Sequence, residues 1–217
     1  MNLLDIALLG YAKDTYSDFP TGTAIDVPGN LRAVIYNNAS LPVLGTYTVC
    51  AIRGTQPDSI FNWLEDLQVI PASSPADNEL GTGPEGPVAS AIELWSALQS
   101  SMPADNRVAW TGHSLGGQLA VRLAAKNFVS SGRKTSIVLT TWDAPKAGDQ
   151  TLVNLVMPMT INQYYFNGSV VTDWPPLFNH VREPLIPIGD YTSDPIEAHS
   201  VNRALIWALN NQDTTTT

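Results

Sequence analysis

Arg107-Val108-Ala109-Trp110-Thr111-Gly112-His113-Ser114-Leu115-Gly116-Gly117 runs an apolar stretch into the pattern G-x-S-x-G. The pattern is a serine held on a tight turn between a strand and a helix. Its logic is steric. The residues two before and two after the serine need almost no side chain, because strand and helix cross closely there, and the serine oxygen is left standing above the strand. The backbone N–H of the following residue, Leu115, points into the same space from the start of a helix, where free donors and the positive dipole end favour a developing oxyanion. Ser114 is therefore the candidate nucleophile, given a strand before it and a helix after it.

Both neighbours are predicted. Arg107 to Thr111 reads as a strand, and the segment after Ser114 reads as a helix through Val129, closed by Ser131-Gly132. Working outward, Tyr47 to Ile52 and Ile137 to Trp142 are almost continuously apolar, which suits strands covered on both faces. A helix with Val88, Ala91, Ile92, Trp95 and Leu98 on one side lies between the first of these and the elbow strand. The alternation of strand and helix from 47 to 142 predicts parallel pairing through right-handed crossovers, hence an α/β sheet. Leu31 to Tyr36 and Tyr164 to Val171 read as further strands. Leu3, Leu4, Ala7, Leu8 and Tyr11 mark an N-terminal helix, and Ala198 to Asn210 a C-terminal one.

The composition excludes several classes. The 217 residues fit one domain, 1–217, with no repeat and no domain-sized linker. Hydrophobic residues at 44% and charged residues at 14% exclude disorder and a coiled coil. Eleven basic against twenty acidic residues give a net charge of −9, the wrong sign for a nucleic-acid partner. Cys50 is the only cysteine, so no intrachain disulfide and no Cys-based zinc site forms. No apolar run reaches a membrane span, and Asp5 stands where a signal peptide would be basic. The expected location is cytoplasmic or released, with secretion open if a leader was removed.

A serine hydroxyl needs a base, and an imidazole oriented by a carboxylate is the usual one. Of three histidines, His113 lies inside the elbow and His180 in an irregular stretch, whereas His199 just precedes the last helix. Chain order of serine, acid, histidine favours His199. For the acid, Asp173 is expected to end the strand Tyr164 to Val171, and Asp143 ends the strand Ile137 to Trp142. Both would lie at the C-terminal edge of the sheet, where such sites collect. Asp190 and Asp194 read as turn carboxylates. The second oxyanion donor should follow an earlier strand, and Arg53-Gly54-Thr55 does, with Thr55 offering N–H and hydroxyl.

These segments resemble the class 3 lipases, a branch of the α/β-hydrolase fold that includes triacylglycerol lipases, phospholipases A1 and some feruloyl esterases. The likeness runs from about Tyr47 to His199 and rests on Arg53-Gly54-Thr55, Asn62-Trp63-Leu64-Glu65-Asp66-Leu67, the elbow, Ala144-Pro145-Lys146-Ala147-Gly148-Asp149 and Asp173-Trp174-Pro175-Pro176. It implies a mostly parallel central sheet flanked by helices, with a lid-like helix and loop insertion. By the resemblance Ser114, Asp173 and His199 form the triad, and Thr55 and Leu115 the oxyanion hole. The family usually has a glycine where this chain has Asp143, which keeps Asp143 as an alternative acid or a substrate contact.

The expected chemistry is hydrolysis of lipid carboxylic esters through an acyl-enzyme on Ser114, with no metal or organic cofactor. The expected partners are an ester or lipid substrate and a lipid–water interface, and no obligate protein. Phospholipase A1 and short-chain carboxylesterase are the alternatives, and a non-catalytic binding protein of the same fold is the reading from another class. Ile60, Phe61, Trp63, Leu64 and Leu67 form a greasy helix face that is either a lid or ordinary core, within a candidate lid region 56–87; the tail 213–217 is expected to fray.

Overall fold

In the computed structural model, seven strands form one sheet in the order β1-β2-β3-β6-β7-β8-β9. The structure describes residues 1–55, 71–73, 79–102, 107–169, 171–175, 178–182 and 185–212. The strands are β1 (Thr23–Val27), β2 (Leu31–Leu41), β3 (Gly45–Ile52), β6 (Arg107–His113), β7 (Ser136–Trp142), β8 (Thr160–Phe166) and β9 (Ile186–Ile188). β1, β2 and β3 pair antiparallel, and every pairing from β3 onward is parallel. Helices α1 (Leu3–Asp14), α2 (Glu85–Leu98), α3 (Leu115–Ser130), α4 (Gln150–Val156), the short α5 (Pro195–Ala198) and α6 (Val201–Asn210) complete the described elements. This is the mostly parallel sheet flanked by helices that the sequence predicts.

Alternation within the central strands builds two cores. Cys50, Ile52, Trp110 and Leu139 point to the face covered by α2, α3 and α4, among Leu94, Leu98, Leu119, Leu123 and Leu152. Val49, Ala51, Ala109 and Trp142 point to the other face, where Leu8, Leu9 and Ala12 of α1 and Ala204 and Ala208 of α6 cover them. Past their exposed first residues, β3, β6 and β7 are buried on both faces, which explains why these strands read as nearly unbroken apolar runs.

Three expectations shift. The buried side of α1 is Asp5, Ile6, Leu8, Leu9 and Ala12 rather than the stripe through Leu3 and Tyr11, because the Asp5 carboxylate is satisfied inside by the Tyr164 hydroxyl at 2.5 Å and the Asn162 amide at 3.1 Å. The strand expected over Tyr164 to Val171 is instead Thr160–Phe166: Asn167 and Gly168 turn away, with Gly168 at φ +90°. The end of the 56–87 region belongs to the body of the protein. Two short strands, β4 (Pro71–Ala72) and β5 (Gly83–Pro84), pair there, α2 begins at Glu85, and Thr82 donates to Asp149 through its N–H and hydroxyl at 2.8 Å each. The lid-like helix Ile60 to Leu67 and the tail 213–217 lie outside the described residues.

Candidate active site

Ser114 occupies the step between β6 and α3 at φ 59° and ψ −134°, a backbone conformation that costs a non-glycine residue free energy and persists only under strong local constraint. The constraint is visible. Its N–H donates to the Trp142 carbonyl at 2.9 Å, and a Cβ at Gly112 would overlap the Gly116 carbonyl, while one at Gly116 would overlap the Ile52 carbonyl. Strand, helix and the loop after β3 are thus in backbone contact at this point, and only glycines permit it. A Cβ at Gly54 would come within 3.0 Å of the Ser114 Cβ. Thr55 follows directly, and Leu115 opens α3. Arg53 anchors the loop through hydrogen bonds to Asn30, 2.7 Å to its carbonyl and 2.6 Å to its side chain.

His199 lies between α5 and α6. Its ring is 2% exposed, and Nδ1 is bonded to Asp143 Oδ2, with the Ser169 hydroxyl at 3.4 Å. Asp143 is fully buried, directly past β7 at φ 47°, and its other oxygen accepts from the Thr172 hydroxyl at 2.5 Å and the Phe166 N–H at 3.2 Å. Burial opposes the Asp143 charge, but the neighbouring His199 and the hydrogen bonds from His199, Ser169 and Thr172 outweigh it and hold the carboxyl below the usual range. A carboxylate only accepts, so Nδ1 carries a proton, and in the neutral imidazole the lone pair is then on Nε2. Ser114 Oγ and His199 Nε2 are both buried without a hydrogen-bond partner. They are the nucleophilic and basic atoms of the predicted chemistry.

The structure brings Asp143, not Asp173, to His199. Asp173 was expected at the end of a strand, but β8 stops at Phe166, and Asp173, seven positions further on, is exposed and without a hydrogen bond to His199 among the described residues. Asp143 extends β7 next to the elbow strand, so register alone sets it beside Ser114: His113 pairs with Trp142 across β6 and β7. The signal was present in the sequence as a carboxylate at the end of a buried strand. His180 makes no hydrogen bond to Ser114, Asp143 or His199 among the described residues; burial and Lys146 depress its pKa to about 4.

A cleft of about 1030 Å³ opens on the site, lined by Thr55, His113 and His199, by Tyr16 just after α1, and by residues of α1, α5 and α6, among them Lys13, Ile196 and Leu205. Among the described residues no group of three His, Cys, Asp or Glu side chains is arranged to hold a metal, and no helix is long and apolar enough to cross a membrane.

Strand order, elbow and histidine placement define an α/β hydrolase. The sequence profile of the lipase (class 3) family matches residues 49–178, well over half the chain, and the chain belongs to that family, whose activity is ester hydrolysis on lipids. Among solved structures it resembles the Rhizomucor miehei lipase in its propeptide complex, at 21% identity and TM-score 0.64 over 95% of this chain and 78% of that one. The lipase from Rhizopus microsporus var. chinensis is similar at 18% identity and TM-score 0.60, over 81% of this chain and 68% of that one. A nonglycosylated Yarrowia lipolytica lipase is similar at 18% identity and TM-score 0.55, over 79% and 73%. No curated protein matches the chain.

Proposed function

We propose that this lipase cleaves its esters through an acyl-enzyme on Ser114, with His199 as general base, Asp143 as the carboxylate behind it, and the N–H groups of Thr55 and Leu115 as oxyanion donors. The observation that carries the reading is the buried, hydrogen-bonded pair of Asp143 and His199, whose Nδ1 is occupied and whose Nε2 is left open. In the first half-reaction Nε2 takes the serine proton as Oγ attacks the carbonyl carbon. The tetrahedral oxyanion is held by the donors at Thr55 and Leu115, and collapse passes the proton from Nε2 to the departing alcohol. Water then repeats the sequence on the acyl-enzyme, using the same base, and releases the acid. Asp143 fixes the imidazole tautomer and supports the positive charge that His199 carries in both transition states.

The cleft suits an amphiphilic ester. Ile196, Val201 and Leu205 give it an apolar wall, while Lys13, Asp14, Asp194 and Glu197 give it a polar one. Ile196 of that wall and Ile206 and Leu209 of α6 are exposed, at 51%, 63% and 51%, and would meet a lipid surface. The region 56–87 would supply a lid in its first part, through the apolar face of Ile60 to Leu67, within a single catalytic domain 1–217. Hydrolysis of p-nitrophenyl esters from acetyl to palmitoyl, with Ser114→Ala as the blank, tests the reading. A Ser114-dependent rate highest on long chains supports a lipase, whereas a maximum at acetyl or butyryl makes the enzyme a short-chain esterase. A rate that survives Ser114→Ala removes the scheme.

A further inference from the structure

We propose that Tyr16 and His113 form a positioning bridge, linking the oxyanion loop at Gly54 to the backbone of His199 so that the two sides of the site keep one register. The inference rests on the reading of Ser114 and His199 as nucleophile and base. Neither Tyr16 nor His113 takes part in that chemistry, and the elbow does not require a histidine at position 113, since its sterics act on the glycines at 112 and 116.

The direction of each hydrogen bond follows from the groups present. His113 Nε2 lies 2.9 Å from the His199 carbonyl oxygen, which can only accept, so Nε2 carries the proton. The ring is 3% exposed, and its centroid stands 4.5 Å from that of His199. Burial and His199 together depress its pKa to about 3, so the ring is neutral and Nδ1 holds a lone pair. The Tyr16 hydroxyl, 2.9 Å from Nδ1, is therefore the donor. Burial pushes the Tyr16 phenol up, and the Gly54 N–H beside its oxygen opposes that push. The approach is tight: a Cβ at Gly54 would lie 2.6 Å from the Tyr16 oxygen.

The bridge is braced rather than loose. Phe166, at the end of β8, stacks on the His113 ring with centroids 5.5 Å apart and planes 15° apart. One chain of contacts thus joins the segment just after α1, the loop after β3, the elbow and the link between α5 and α6. Those four segments carry both the oxyanion donor loop and the base. Shifting His199 by a fraction of an ångström relative to Gly54 alters the alignment of proton transfer without altering the cleft walls, so the bridge acts on turnover rather than on binding.

The test is steady-state hydrolysis of p-nitrophenyl butyrate by Tyr16→Phe, His113→Phe and the double variant, with thermal unfolding of each. Tyr16→Phe keeps the ring and removes one hydroxyl, so it leaves the fold intact. A lost positioning hydrogen bond is worth roughly tenfold in rate. The expected result is a fall of about tenfold in kcat for each single variant, with KM within about twofold, and a double variant no slower than His113→Phe alone, because all three break one chain. Unchanged kcat in Tyr16→Phe, a change confined to KM, or a double variant slowed by the product of the single effects overturns the bridge. Ser114→Ala run alongside keeps the two claims apart: an inactive Ser114→Ala with a fully active Tyr16→Phe sinks the bridge alone, whereas an active Ser114→Ala sinks the site on which it rests.

Discussion

Replacing Asp143 by Asn removes a charge while keeping shape, and the structure allows its cost to be worked out. The carboxylate is fully buried and bonded to His199 Nδ1, and its second oxygen is held by Thr172 and Phe166, contacts an amide oxygen can keep. What the amide cannot do is face the imidazolium that forms in each transition state. Two opposite charges about 4 Å apart at an effective dielectric near 20 interact by about 4 kcal/mol, which is close to a thousandfold in rate. Asp143→Asn should therefore lower kcat on p-nitrophenyl butyrate by about a thousandfold, with KM nearly unchanged, because Asp143 supports the base and is sealed from the substrate cleft. Asp173→Asn, at an exposed position, should stay within about threefold of the parent. Initial rates with thermal unfolding as the control for folding measure both. A thousandfold loss in Asp173→Asn with less than about tenfold in Asp143→Asn would refute the reasoning.

Other perturbations have equally definite outcomes. Burial lowers the folded pKa of His113 to about 3 and of His180 to about 4, so on acidification the unfolded chain takes up these protons first and stability falls. From about pH 6 to 4 urea unfolding should lose up to roughly 1.4 kcal/mol per pH unit for each histidine, and His180→Leu should remove about half of that slope. Gly116→Ala drives a Cβ into the Ile52 carbonyl and to 2.7 Å from Arg53 C and Gly54 N, all backbone, and should cost about 3 kcal/mol, or roughly 6–12 °C in thermal midpoint. Asp5→Ala strands the Tyr164 hydroxyl and the Asn162 amide inside the protein and should destabilise it by about 3 kcal/mol in urea titration. If Ile60 to Leu67 form a lid, hydrolysis of a long-chain ester should jump as its concentration passes the solubility limit; smooth saturation below that limit would count against a lid.

The parts of the fold legible in the sequence are those where one physical requirement dominates. β3, β6 and β7 are covered on both faces, so their composition declares them, and the elbow declares itself because three backbones meet where only glycine fits. β1 and β9 escaped: Thr23–Val27 is an edge strand with exposed residues, and Ile186–Ile188 is three residues long. The end of β8 was misjudged because Tyr164 to Val171 continues to look β-like through Val170 and Val171, and only Gly168 interrupts it. That reading put Asp173 at the end of a strand. His199 is chosen from chain order and its position before a helix, whereas the carboxylate it meets depends on the register of β7 beside β6, which periodicity does not report. The roles of Asp5 and His113 were hidden for a similar reason. Each is defined by partners far away in sequence, Tyr164 and Asn162 for one and Tyr16 and His199 for the other.

The activated serine is the central claim, and covalent labelling reads it directly. Treated with an alkyl fluorophosphonate, the protein should gain the mass of a single phosphonyl group, peptide mapping should locate it on Ser114, and Ser114→Ala should gain none. An unmodified parent, or an adduct on any other residue, would contradict the account.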